Sequence, residues 1–249
     1  MAKPDWLTKI PIAHRGYHNL ALGAAENSMS AFSAAIDHGF AIECDLQVSA
    51  TGEPVVFHDP LLGRMTGIDG TVRNHTPAEL ASMKLLNTQD GIYTLKQHLD
   101  LVAGRVPLVL ELKGVEGEDA GFVEGVADAL SAYDRPVCVM SFDHWICQQF
   151  HTLLPQIARG LTAEGDDAVH DIHQAAMNEY DLQFVSYSVS DLPCRFVKDV
   201  RDRGLPVISW TVRSPQQAEH SARYADQITF EGFDPGTGEQ FDPRAGAHG

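Results

Sequence analysis

Short runs rich in Ile, Val and Leu recur along the chain with helically spaced stretches between them, and this alternation limits the available folds more than any other feature. The runs cover residues 10–14, 41–47, 107–113, 136–142, 156–162, 184–189, 206–212 and 226–231. Strands that alternate with helices predict a parallel sheet covered by helices, and so an α/β fold. A further run, 53–58, follows residue 47 after only the turn 49–52. A parallel return needs a crossover of about a dozen residues, so this run is expected to be the antiparallel arm of a hairpin. The arm folds back about Gly52 and brings His58 beside Glu43 and Asp45. Period-two alternation turns those two carboxylates to one face and Cys44 to the other.

With 249 residues, 44% of them hydrophobic and 21% charged, the chain can bury one large core, and residues 1–249 are read as a single domain. A net charge of -16 would repel a polyanion, which excludes nucleic acid as a partner. Cys44, Cys138, Cys147 and Cys194 show no paired spacing and are read as free thiols. Residues 1–7 lack the apolar stretch of a signal peptide, and no window is long and apolar enough to span a bilayer. A cytoplasmic protein without integral membrane association is expected. Its oligomeric state is not legible.

The helices announce their ends. Asn27 is expected to open a helix over 28–38 that Gly39 closes, and Thr76-Pro77-Ala78-Glu79 is a capping box opening a helix through Met83. Another helix is expected over 94–103. Residues 60–91 are too long for an ordinary connection and are read as an excursion over the mouth of the fold. Past Glu231 the chain turns Gly- and Pro-rich, and 234–249 is expected to be a flexible tail.

The chemistry concentrates at the ends of the early strands. Glu43, Asp45 and Glu111 are oxygen donors, and three inward acids repel one another unless a cation lies between them; a hard divalent ion suits such a set. Pairing with Arg or Lys is the alternative use of each. His14 and His58 are candidates for general base and general acid. The other ten histidines, among them His18, His75, His98, His170 and His173, are read as structural or surface residues. Arg15 and Lys113 lie next to these groups and are candidate phosphate contacts. Trp210 and Phe142, at or near strand ends, are candidates for an apolar pocket wall.

His14-Arg15-Gly16, Glu26-Asn27, Glu43-x-Asp45, Thr51-Gly52, Val55-Val56-x-His58-Asp59, Arg64-x-Thr66, Thr76-x-x-Glu79-Leu80 and Glu111-x-Lys113 follow one another in order. In this series the chain resembles the glycerophosphodiester phosphodiesterase family. The resemblance implies a TIM (β/α)8 barrel with a small insertion following an antiparallel hairpin after the second strand. It also implies catalytic His14 and His58, metal ligands Glu43, Asp45 and Glu111, phosphate contacts Arg15 and Lys113, and a substrate-flanking Trp210. The last strand departs from the pattern: Ile228-Thr229-Phe230-Glu231 stands where a Thr-Asp ending is usual.

The expected activity is metal-dependent hydrolysis of a glycerophosphodiester to sn-glycerol 3-phosphate and an alcohol, with Mg²⁺ or Ca²⁺ as cofactor and Mn²⁺ as a further candidate. Two alternatives carry different expectations. A lysophospholipase D-like enzyme acting on membrane-derived lipids needs an apolar groove, which Leu61, Leu62, Met65 and Ile68 would supply. A non-catalytic barrel that binds a phosphorylated metabolite needs no turnover at all.

Overall fold

The computed structural model describes residues 4–246. Eight parallel strands close into a barrel in the order β1-β2-β4-β5-β6-β7-β8-β9, and β9 pairs back onto β1. They are β1 (Ile12–Ala13), β2 (Ala41–Val48), β4 (Leu108–Leu112), β5 (Val137–Ser141), β6 (Ala158–Ala163), β7 (Phe184–Ser188), β8 (Val207–Val212) and β9 (Gln227–Phe230). The remaining strand, β3 (Pro54–Val56), pairs antiparallel with β2 in the register Leu46↔Val56, Gln47↔Val55, Val48↔Pro54. That is the hairpin the short 49–52 turn demanded.

Helices cover the outside: α1 (Met29–His38), α2 (Gly63–Thr66), α3 (Pro77–Ser82), α4 (Leu95–Val102), α5 (Phe122–Leu130), α6 (His144–Leu153), α7 (His170–Glu179), α8 (Arg195–Asp202) and α9 (Pro215–Ser221). Outward strand residues such as Cys44, Leu110, Val139 and Val185 pack with helix residues Phe32, Val126, Phe150 and Phe196 in the main core. Inward residues form a second, smaller layer, Ile12, Ala41, Val109, Met140, Phe184 and Ile208, that plugs the barrel below its mouth. The mouth lies at the carboxyl ends of the strands, above this plug, as the fold requires.

Local chemistry explains two departures from expectation. β1 shrinks to two residues because Pro11 has no amide to give the ladder and because Arg15 and Gly16 turn into the left-handed region at φ 58 and 80. A Cβ on Gly16 would lie 2.9 Å from the backbone and side chain of Ala31, so only glycine fits where the chain passes α1. The cap of α1 is Ser28, whose Oγ accepts from the Ala31 amide at 3.1 Å, and not Asn27. Asn27 is withdrawn for another use described below. The capping boxes Thr76/Glu79 and Thr94/Gln97 both form, each cap stabilising its helix by about 1 kcal/mol.

Residues 60–91 carry α2 and α3 and bury their own apolar cluster, including Leu62, Met65, Val72, Leu80 and Leu85, against Val55 and Phe57 of the hairpin arm. Of the four residues considered for a lipid groove, Leu62 and Met65 are therefore spent inside this cluster, and only Leu61 and Ile68 are exposed. In the segment 234–246 the chain folds back: Phe233 bridges Gln240, Phe241 packs edge-on against Tyr17, and the Leu20 amide donates to the Pro243 carbonyl at 3.0 Å. Residues 247–249 of the expected tail lie outside the described residues. Among the described residues no helix is long and apolar enough to cross a membrane.

Candidate active site

Glu43 and Asp45 project inward from β2, and Glu111, in register with Asp45, projects from β4. Among the described residues this is the one set of three His, Cys, Asp or Glu side chains whose ligand atoms all lie within 4.8 Å of one another. All three are buried. Two cations already lean on the set: Lys113 Nζ lies 2.6 Å from Glu111 Oε1 and 3.3 Å from Asp45 Oδ1, and Arg15 Nε lies 3.2 Å from Asp45 Oδ2.

The three acids respond differently to this setting. Burial would raise Asp45, but Lys113 and Arg15 outweigh it and hold its carboxyl below the usual range. Glu111 is raised by burial, with Lys113 offsetting part of the effect. Glu43 is pushed well above the ordinary carboxylate value by burial and by the charges of Asp45 and Glu111. Its Oε2 accepts from the Arg15 amide at 2.9 Å, whereas its Oε1 has no partner among the described residues. A buried oxygen left bare beside two other acids is the signature of a missing positive charge. An all-oxygen donor set of this kind fits a hard divalent cation.

Both histidines are tethered through Nδ1 and present Nε2 to the cavity. His14 Nδ1 donates to Glu231 Oε2 at 2.6 Å, and its Nε2 stands 3.9 Å from Glu43 Oε2. Burial lowers the His14 imidazole below its ordinary value, against the hydrogen bond to Glu231, so the neutral ring is the form this pocket favours. Burial would raise Glu231, but His14, His18 and Arg213 hold it ionised, and Arg213 Nε donates to its Oε1 at 2.7 Å. His58, at the end of the hairpin arm, donates from Nδ1 to Asp59 Oδ1 at 2.6 Å. Asp59 is gripped by Arg64 Nε at 2.5 Å, and Arg64 also binds Glu26, which in turn binds Arg15 Nη1 at 2.7 Å. One ion-pair chain thus joins residues 60–91, His58 and Arg15.

The far wall is neutral except at its edge, where Arg213 follows β8. Trp210 Nε1 donates to the Ser186 carbonyl at 3.1 Å, and its ring meets Phe142 edge-on at 5.4 Å between centroids. Trp210 lies two residues beyond the inward Ile208 on β8 and so turns to the same face, and the β8/β9 register slips between Ser209 and Val212. Lys113 Nζ lies 5.8 Å from the Phe142 ring centre and so links the two walls. The enclosed cavity is about 150 Å³ and is lined by all nine residues proposed from sequence: His14, Arg15, Glu43, Asp45, His58, Glu111, Lys113, Phe142 and Trp210. A larger groove of about 1190 Å³ along α8 gathers no acid–base pair or metal-ligand set and lies apart from this chemistry.

Glu231, Asn27 and His18 serve the site in ways the sequence did not reveal. Glu231 was noted only as a departure at the last strand, yet it tethers His14. Asn27, read as a cap, donates from Nδ2 to Asp45 Oδ2 at 2.9 Å. His18, read as structural, lies 3.5 Å from Glu231 Oε2.

A barrel mouth built in this way places the protein among the enzymes that cleave phosphoric diesters. Comparison with known proteins narrows the class. The profile of the Glycerophosphoryl diester phosphodiesterase family matches residues 14–232. The chain is 28% identical over 219 residues to a glycerophosphodiester phosphodiesterase of Caldanaerobacter subterraneus, covering 84% of this chain and 87% of that one. It is 34% identical over 163 residues to one from Bacillus altitudinis, covering 61% and 64%. Its fold superimposes on that of an Oleispira antarctica phosphodiesterase in complex with the product sn-glycerol-3-phosphate, with a TM-score of 0.83, 24% identity, and 92% and 95% of the two chains covered. The chain belongs to the glycerophosphoryl diester phosphodiesterase family.

Proposed function

We propose that the protein hydrolyses glycerophosphodiesters to sn-glycerol 3-phosphate and an alcohol by proton transfers through His14 and His58. The observation that carries this reading is the pair of Nδ1-tethered imidazoles whose free Nε2 atoms face one small cavity bearing Arg15, Lys113 and three acids. The product bound to the Oleispira antarctica neighbour supports the substrate class.

Arg15 and Lys113 bind the phosphate oxygens and offset the charge that develops on them. His14, neutral and backed by Glu231, accepts at Nε2 the proton of the glyceryl 2-hydroxyl, and the Glu231 carboxylate stabilises the imidazolium as it forms. The freed oxygen attacks phosphorus, the bond to the alcohol breaks, and His58 at the half-exposed rim protonates the departing oxygen. A cyclic phosphate results. In the second step His58 takes a proton from water, the water oxygen opens the ring at phosphorus, and His14 returns its proton to the 2-oxygen. Attack within one molecule gains the orientation advantage of an intramolecular reaction.

Glu43, Asp45 and Glu111 would hold the divalent cation, which when bound supplies positive charge beside the phosphate and the attacking hydroxyl. Glycerophosphocholine and glycerophosphoethanolamine, followed by phosphorus NMR with and without a chelator, test the reading. It requires turnover that stops on chelation, returns with Mg²⁺, Mn²⁺ or Ca²⁺, and passes through a cyclic phosphate signal. Full turnover after exhaustive chelation would remove the metal, and a reaction without the cyclic signal would favour direct attack by water.

A further inference from the structure

Two hydroxyls in the wall of the catalytic cavity have no partner among the described residues. Ser186 projects inward from β7 above Phe184, and Thr229 projects inward from β9 in register with Ile12 of the barrel plug. Both residues line the cavity, both are at most 1% exposed, and neither Ser186 Oγ nor Thr229 Oγ1 makes a hydrogen bond within the protein. Thr162 Oγ1 on β6 is also unpartnered but does not line the cavity.

A buried hydroxyl is costly when unpaired, and a strand position beside Ile, Val and Phe accepts Ala or Val without that cost. Two such hydroxyls converging on one cavity need an occupant with polar groups of its own. Their depth limits which part of the substrate they meet. Arg15, Lys113 and the three acids fix the phosphate on the opposite side, and His14 occupies the level of the 2-hydroxyl. The hydroxyls lie a step deeper than His14 and Trp210: Thr229 precedes Glu231 by two residues on β9, and Ser186 pairs with Ile208 where Ser188 pairs with Trp210. Below the reacting centre, a glyceryl group has only its terminal hydroxymethyl to offer.

We infer that Ser186 and Thr229 are specificity-determining residues that hydrogen-bond the free terminal hydroxyl of the glyceryl group. The inference rests on the glycerophosphodiester reading above and assigns two residues to the recognition of its glyceryl end. An acyl group on that hydroxyl removes the donor and overfills a cavity of about 150 Å³, so 1-acyl diesters are rejected.

The test uses the full chain with Mg²⁺ and three probes in calorimetric titrations: sn-glycerol 3-phosphate, its analogue lacking only the terminal hydroxyl, and methyl phosphate. Wild type should bind sn-glycerol 3-phosphate at least tenfold more tightly than the deoxy analogue. Ser186→Ala and Thr229→Val should each erase about tenfold of that preference and leave methyl phosphate within twofold. Thr229→Ser, which keeps the hydroxyl, should restore it. A wild type that prefers sn-glycerol 3-phosphate to methyl phosphate while both variants keep the deoxy discrimination overturns this assignment and spares the functional reading. A wild type that binds sn-glycerol 3-phosphate no better than methyl phosphate overturns both. Turnover of a 1-acyl glycerophosphocholine at the rate of glycerophosphocholine overturns the assignment alone.

Discussion

The two sides of the barrel mouth are built on opposite principles. On the side of β1, β2 and β4 every cavity-facing group is ionisable: His14, Arg15, Glu43, Asp45, Glu111 and Lys113, each held by another charged group within 4 Å. On the side of β5, β7 and β8 the cavity meets Met140, Phe142, Ser186, Trp210 and Thr211, none of which carries charge, and the cation at its edge, Arg213 just past β8, is turned to Glu231. The charged side has the means to move protons and bind phosphate. The neutral side has shape and hydroxyl groups, which sort substrates without changing their bonds. Substitutions on the two sides should therefore fail in different ways, the first in kcat and the second in KM.

The largest effect expected is on the charged side. His14→Ala and His58→Ala should each lower kcat by about 10²–10⁴-fold while the melting temperature stays close to wild type. Either variant, folded and near wild-type in kcat, would remove that histidine from the proton relay. Glu231→Gln should come next, lowering kcat by roughly 10–100-fold with little change in KM, because the neutral amide no longer orients and stabilises the charged His14 ring. A Glu231→Gln enzyme that loses affinity and keeps kcat would mean that Glu231 serves binding and not the proton relay, and would erase the contrast between the two sides.

On the neutral side Trp210→Ala should raise KM by roughly five- to tenfold and leave kcat within a few-fold, as expected for the loss of an aromatic wall. A kcat collapse at this position would show that the neutral wall also sets the reacting geometry. The smallest effect concerns stability. Burial would raise Glu26, but Arg64 and Arg15 hold it at about 2 against an ordinary 4.5. A lowered carboxylate contributes stability that is complete above the ordinary value and is lost as pH falls toward the folded one. Wild type should thus lose about 1–2 kcal/mol more than Glu26→Gln between those two pH values, after allowance for solvent at the half-exposed Arg64. Parallel denaturation curves for the two proteins would show that the ion-pair chain contributes nothing net.

The eight strands and the hairpin were legible because a strand buried on both faces needs a largely apolar run, and the barrel-facing acids of β2 and β4 are the charges that interrupt theirs. Glu43 and Asp45 stood out for that reason, since an acid between Ile and Leu is conspicuous. Glu231 did not stand out. It ends a run at the chain's last strand, and nothing local reveals that its partner lies 217 residues away. Asn27 misled by its type: beside Ser28 and ahead of a helix, an amide reads as a cap, and only the left-handed backbone at φ 58 turns it toward Asp45. Ser186 and Thr229 were silent because a hydroxyl in a strand is ordinary until the absence of any partner for it is seen in three dimensions.

The seam where β9 meets β1 carries a consequence for the life of the molecule before it is finished. His14 is translated 217 residues before Glu231. The imidazole therefore acquires its carboxylate only when the final strand docks and the sheet becomes a ring. A nascent or truncated chain that ends before that strand carries both histidines and all three acids but lacks the carboxylate that tethers the His14 ring. The His14–Glu231 contact is thus tied to closure of the ring, and no earlier stage of the sheet can supply it.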